Sequence, residues 1–254
     1  MRLSFLLCIK LAFGLAVASA LVACSSADKL TVSSAAAVSS SVSASASLAS
    51  ASSSEAAWQE VKLPGKRATD YRWEFFDGRR ALAARSDASA SMMRRKLDSQ
   101  TSEASTLKFS WQIDALIVGA NTSVAESEDA PVRVMLAFGG DVSKLPLRTR
   151  MLFELSHTLT GEEPPYATLM YVWDNQAPPD SLIINPRTDR IRKIVVDSGA
   201  KGLKQWRDHQ RNIAADFRRA FGEEPGPLLA VAVMTDSDNT KTKARAWYGP
   251  VTLD

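Results

Sequence analysis

From Trp58 onward, apolar and polar positions alternate in short runs along most of the chain. A period of two belongs to strands with one buried face. Leu107, Phe109, Trp111 and Ile113 alternate with polar neighbours, and Val132, Val134 and Leu136 share one face with Arg133 and Met135 on the other. Strands are also predicted at 60–63, 71–76, 82–85, 91–96, 167–173 and 191–196. Asp77-Gly78, between Phe76 and the next run, is a hairpin signal because both residues tolerate positive φ. The run Leu228–Met234 is apolar throughout and follows Gly226-Pro227, which predicts a central strand buried on both faces. Asp236, Ser237, Asp238 and Asn239 then form a polar tip, and residues 244–249 alternate again as a closing strand.

Two stretches depart from this rhythm. Met151, Leu152, Leu155 and Leu159 fall at helical spacing within 148–159, ahead of Gly161. Leu203, Trp206, Ile213, Phe217 and Phe221 fall on one helical stripe, with Gly222 as a stop, so a longer helix is expected over 203–221. Nine to ten short strands and two helices predict a mainly β fold, an antiparallel β-sandwich of jelly-roll type with two inserted helices. Two helices are too few for a doubly wound parallel sheet.

The first 57 residues read differently. Arg2 and Lys10 precede an apolar run from Leu11 to Ala20, the length of a secretory signal rather than of a bilayer span. It ends in Leu21-Val22-Ala23-Cys24, which resembles the lipobox of bacterial lipoproteins. That resemblance implies cleavage after residue 23, a lipid on Cys24 and a membrane anchor. With Ser25 next, it implies the outer membrane, facing the periplasm. Residues 24–57 are Ser- and Ala-rich and lack the large apolar groups that offset chain entropy, so they are expected to form a flexible tether. The only other cysteine, Cys8, lies in the signal, so the domain at 58–254 is expected to have no disulfide and no thiolate metal site. A formal net charge of +3 over 254 residues is weak evidence for nucleic acid, which calls for a concentrated basic face, so no nucleic-acid partner is expected.

Candidate chemistry is sparse. Asp236, Asp238 and Asn239 are either a loop of turn formers or oxygen ligands for a hard cation such as calcium. An EF-hand does not fit, because Lys241 stands where Gly is required and Trp247 where the last Glu is required. Tyr171 and Trp173 share a strand face with Asn175 just beyond it. They are either core residues or plates for a sugar ring. Asp129 and Arg133, and separately Arg187, Asp189, Arg190 and Arg192, are either ion pairs or clamps for an anionic ligand. His157 and His209, the only histidines, both fall in expected helices. No nucleophile elbow, zinc helix or phosphate loop is present. Acidic pairs such as Glu126/Asp129 or Asp236/Asp238 are the material a glycosidase would use, and no spacing selects them.

The runs LPGKRATDYRW, TLMYVWDN, NPRTDRIRKIVVDSG, FGEEPGPLLAVAVMTDSDNT and ARAWYG resemble the bacterial "domain of unknown function 3047" family across nearly all of 58–253. The resemblance implies no established activity. More loosely, the order of a Trp-led strand, a Trp206 region, an acidic tip and a Tyr-bearing last strand is similar to galactose-binding-like carbohydrate modules. The expected function is ligand binding, with a glycan as the ligand class, through one face or loop cluster of the sandwich. The alternatives are a hydrolase or lyase of envelope polysaccharide, which needs two carboxylates in one cleft, and a partner-binding scaffold, which needs a broad apolar patch.

Overall fold

The computed structural model describes residues 55–98 and 104–254. The signal segment, Cys24 and the Ser/Ala tract up to residue 54 lie outside the described residues. Two sheets pack face to face. The first runs in the order β1 (Gln59–Lys62), β4 (Ala90–Lys96), β11 (Leu228–Asp236), β6 (Ala130–Phe138), β7 (Ala167–Asp174), β9 (Ile191–Ser198), β8 (Leu182–Ile184). The second runs β10 (Arg207–Asn212), β5 (Thr106–Ile113), β12 (Lys243–Tyr248), β3 (Arg79–Asp87), β2 (Asp70–Phe76), with the short β13 (Thr252–Leu253) also on β5. The protein is therefore a β-sandwich with two helices, α1 (Leu147–Thr160) and α2 (Ile213–Phe221). Neighbours are antiparallel except β7 and β9, which run parallel across a crossover that carries β8. Among the described residues no helix is long and apolar enough to cross a membrane.

The alternation read from sequence sets the core. Leu107, Phe109, Trp111 and Ile113 meet Val134, Leu136, Leu169, Tyr171 and Val231 between the sheets. β11 sits in mid-sheet between β4 and β6, and both of its faces are covered along most of its length. A smaller apolar cluster of Met135, Met170, Val172, Val195 and Ala232 lies on the outer face of the same sheet. At the β2–β3 hairpin, Asp77 and Gly78 adopt φ of 45° and 76°, the paired positive values a tight two-residue turn needs.

The helix expected over 203–221 is half that length. At its expected start the chain runs through a series of turns in which Gly199, Gly202 and Lys204 hold positive φ, conformations foreign to a right-handed helix. Residues 207–212 then pair with β5 along its free edge. Only at Asn212 does the helix begin, with the Asn212 side chain accepting from the Ala215 N–H, and Gly222 closes it in the left-handed region. The sequence RDHQRN has no apolar alternation, so nothing in it announced a strand. His209 thus lies on β10, not on a helix.

The helix α1 matches its expected span, but Leu147, Met151, Leu152 and Leu155 are exposed, between 44% and 64%. Glu55 closes a bidentate pair with Arg80 and takes a backbone bond from Trp58.

Candidate functional site

The polar groups singled out in the sequence divide between two ends of the first sheet. At the end where β6 starts and β11 stops, Asp129, Asp236 and Asp238 place one oxygen each within 4.8 Å of one another, all buried. Arg133, pointing outward from β6, binds Asp236 through Nε and Nη2, both at 2.9 Å. Burial alone would lower the Arg133 guanidinium, but Asp236, Glu128 and Asp129 outweigh it and hold it firmly protonated. Lys66 takes Asp238. Asp129 accepts from the Asn239 N–H, the Thr240 N–H and the Thr240 hydroxyl, so Asn239 contributes its backbone here. Beside this group, Glu128 receives Lys193 at 2.6 Å, Arg187 at 2.8 Å and Asn185 at 2.7 Å. Burial, then the Arg133 charge, lower the Lys193 ammonium to about 8.

These contacts decide what the acidic tip can do. A divalent cation needs carboxylate oxygens free to turn toward it. Two of the three carboxylates already face a cation of the chain, and the third accepts three hydrogen bonds from the 239–240 segment. The arrangement is that of an ion-paired network tying the 237–242 loop, the β1–β2 loop and the 121–129 loop to the sheet. Calcium would have to displace Lys66 to enter.

The other candidates do not join this group. Tyr171 and Trp173 are fully buried between the sheets, because residues 169, 171 and 173 share the inner face. The Tyr171 hydroxyl bonds Asp216 at 2.9 Å, and Trp173 Nε1 donates to the Gly199 carbonyl at 3.0 Å. The expectation that they plate a sugar ring is thus corrected. Asn175 latches a loop by donating to the Ile117 and Ala120 carbonyls. Arg190 lies at the opposite end of the same strands, bound to Glu223 and packed over Tyr166 at 4.2 Å. Arg187, Arg190 and Arg192 each have separate partners and make no common clamp.

A different set of residues makes a surface with capacity left over. On the outer face of the second sheet, Trp247, Phe76 and Trp206 pack above Ala81 and Ala83. Phe76 stacks on Trp247 with centroids 3.8 Å apart and planes within 4°. Trp206 lies beside Gly249, where a Cβ would meet Ser110 Oγ at 2.1 Å and the Trp206 ring at 3.6 Å, so a side chain there would displace Ser110. Small residues in β3 and at 249 thus give flat rings a floor to lie on. Trp247 is 4% exposed, and Phe76 and Trp206 are half-buried. Trp247 Nε1 donates to Glu74 at 2.8 Å and Trp206 Nε1 to the Asp77 carbonyl at 3.1 Å. Next to Trp247 in register stands Gln112, itself buried, whose Oε1 has no hydrogen-bond partner. An orphaned buried acceptor is rare and costs about 1–3 kcal/mol.

Beside the rings the face opens into a cleft of about 680 Å³ lined by Arg79, Lys108, Ser110, Asp208, Gln210 and Thr252, among others. Arg79 bonds Asp208 and lies over the Trp206 ring at 4.9 Å, linking cleft to rings. The Arg79 side chain holds the Asp208 carboxyl below the ordinary range. Asp208 is the one carboxylate in the lining, so the two-acid requirement of a glycosidase is not met there.

Sequence reasoning passed over this face because its residues were read as strand alternation or, for Trp206, as a helix stripe. The signal that would have found it is the pairing of Trp247 and Phe76 with small residues on the facing strand.

No curated protein sequence matches the chain. Among solved structures it is similar to the family 11 carbohydrate-binding module of the cellulosomal cellulase Lic26A-Cel5E of Clostridium thermocellum, at 8% identity and a TM-score of 0.36, over 77% of this chain and 86% of that one. It is also similar to the xyloglucanase domain of NopAA, a type three effector from Sinorhizobium fredii, in complex with cellobiose, at 9% identity and a TM-score of 0.40, over 78% and 93%. Residues 56–252 match the family model described as "Protein of unknown function (DUF3047)", and the chain belongs to that family.

Proposed function

We propose that the protein is a glycan-binding module and that the outer face of the second sheet holds the ligand. The observation that supports this reading is the ring-paved face itself. Trp206 and Phe76 offer partly exposed apolar rings, which suit the C–H faces of a sugar. Arg79, Asp208, Ser110 and Gln210 supply hydroxyl partners along the adjoining cleft. With this goes the location expected from Leu21–Cys24: a lipid on Cys24 in the outer membrane, which labelled-fatty-acid incorporation and its loss in Cys24→Ser would test.

Affinity electrophoresis and calorimetry against cell-wall and plant polysaccharides test the binding. At least one polysaccharide is expected to retard the protein, and Trp206→Ala to weaken that binding roughly ten-fold or more, about 1.4 kcal/mol. Retardation unchanged by Trp206→Ala would place any glycan elsewhere.

A second reading has its own observation. Leu147, Met151 and Leu155 form an exposed apolar stripe on α1, the feature expected of a partner-docking scaffold. Met151→Ser with Leu155→Ser would abolish such docking and leave polysaccharide retardation unchanged.

A further inference from the structure

Between the sheets, Arg95 pairs with no carboxylate among the described residues. In β4, Arg95 stands opposite Val231 of β11, a core residue, so its side chain enters the interior between the layers. There it lines a cavity of about 250 Å³ walled by Trp58, Trp73, Leu82, Val233 and Tyr248. Its Nε is buried without a hydrogen-bond partner, and Nη2 reaches only the Val251 carbonyl at 3.5 Å. The guanidinium lies 5.5 Å from the Trp58 ring centroid. Burial lowers its pKa, as expected for a cation drawn out of water without a counter-ion. Glu55 lines the same cavity, but both of its oxygens are taken by Arg80, at 2.7 and 3.0 Å. Arg94, Arg190 and Arg211, also partly buried, each face a carboxylate.

A guanidinium in this state has strong unused capacity. Its two terminal Nη groups form the fork that matches a carboxylate, no carboxylate among the described residues engages them, and the low dielectric around them strengthens such a contact. The walls are indole, phenol and aliphatic, so the rest of a ligand must be apolar. At the ~30 Å³ per molecule of liquid water, the cavity has room for about eight heavy atoms or slightly more. The geometry points to a second binding site, between the sheets, for a small monocarboxylate with an apolar or aromatic body, held by Arg95. It is separate from the ring-paved outer face and does not depend on the glycan reading.

Calorimetric titration of the full chain with phenylacetate tests it, with phenylacetamide, acetate and inorganic phosphate as matched controls. One equivalent of phenylacetate is expected to bind, with the amide, acetate and phosphate each at least ten-fold weaker. Arg95→Met should weaken phenylacetate at least ten-fold and leave the amide unchanged, and Arg95→Lys should fall between, since it keeps the charge and loses the fork. Thermal unfolding of both variants shows whether they remain folded, and Arg95→Lys carries the test if Arg95→Met does not. Equal affinity for acid and amide, undiminished binding by the variants, or no saturable heat at millimolar phenylacetate would overturn the assignment. Trp206→Ala is expected to leave phenylacetate binding intact, so failure of this site and failure of the glycan face are told apart.

Discussion

The acidic end of the first sheet and the outer face of the second make an instructive pair. The first is rich in charge and has nothing to spare. Arg133 and Lys193 meet Asp236 and Glu128, with side chains 8% exposed or less, while Lys66 meets Asp238 and Asn239 and Thr240 donate to Asp129. The second has modest charge and leaves rings half-covered and an amide oxygen without a donor. Residue types that look functional in a list can be fully consumed by the fold. Ligand capacity shows instead in what packing leaves unpaired.

Substitutions at the acidic end should break the comparison most severely. Arg133→Met strands Asp236 in the interior and removes a neighbour of Glu128, so urea unfolding is expected to show a loss of about 3–5 kcal/mol. A loss below about 1 kcal/mol would mean the network is not structural. On the ring-paved face, Trp247→Ala removes a buried indole and is expected to cost about 3–5 kcal/mol as well. Half-buried Trp206→Ala should cost less, while affecting binding. The contrast between the two tryptophans, stability against affinity, sharpens which rings are floor and which are contact surface.

A pH series probes a third polar group. Asp197 accepts from Trp111 Nε1 at 2.7 Å, His209 Nε2 at 2.8 Å and Arg207 Nε at 3.1 Å. Burial alone would raise its carboxyl, but the His209 and Trp111 bonds and the Arg207 charge outweigh burial and hold it below the ordinary aspartate range. A group with a lower pKa folded than unfolded stabilises fully above its unfolded value, near 3.9, and loses that contribution as pH falls through the folded one. The stability gap between the native chain and Asp197→Asn, about 1–3 kcal/mol, should therefore hold steady above about pH 5. It should narrow at lower pH in urea titrations. A gap independent of pH would show that charge is not what Asp197 supplies.

The smallest effect is expected from metal. Because Arg133 and Lys66 already neutralise Asp236 and Asp238, millimolar calcium or a chelator should leave the unfolding temperature within about 1 °C. That corresponds to well under 1 kcal/mol for a domain of this size. A rise of several degrees would turn the acidic end into a cation site.

Much of the fold was legible because period two is a local property. Leu107–Ile113 and Val132–Leu136 carry their buried face in their own spelling, and the Asp77-Gly78 turn needs only its own backbone preferences. Tertiary pairing decided the rest. RDHQRN is a strand because the free edge of β5 gives six residues hydrogen-bond partners, an option no propensity encodes. Tyr171 and Trp173 were legible as sharing a face, but whether that face looked inward depended on which sheet covered it. The sequence by itself determined a two-layer β body, its hairpin and its central strand, since alternation and turn chemistry act within a few residues. Only the assembled sandwich decided which polar groups cancel and which remain open, since Asp236 meets Arg133 across 103 positions while Gln112 Oε1 and Arg95 Nε meet no hydrogen-bond partner.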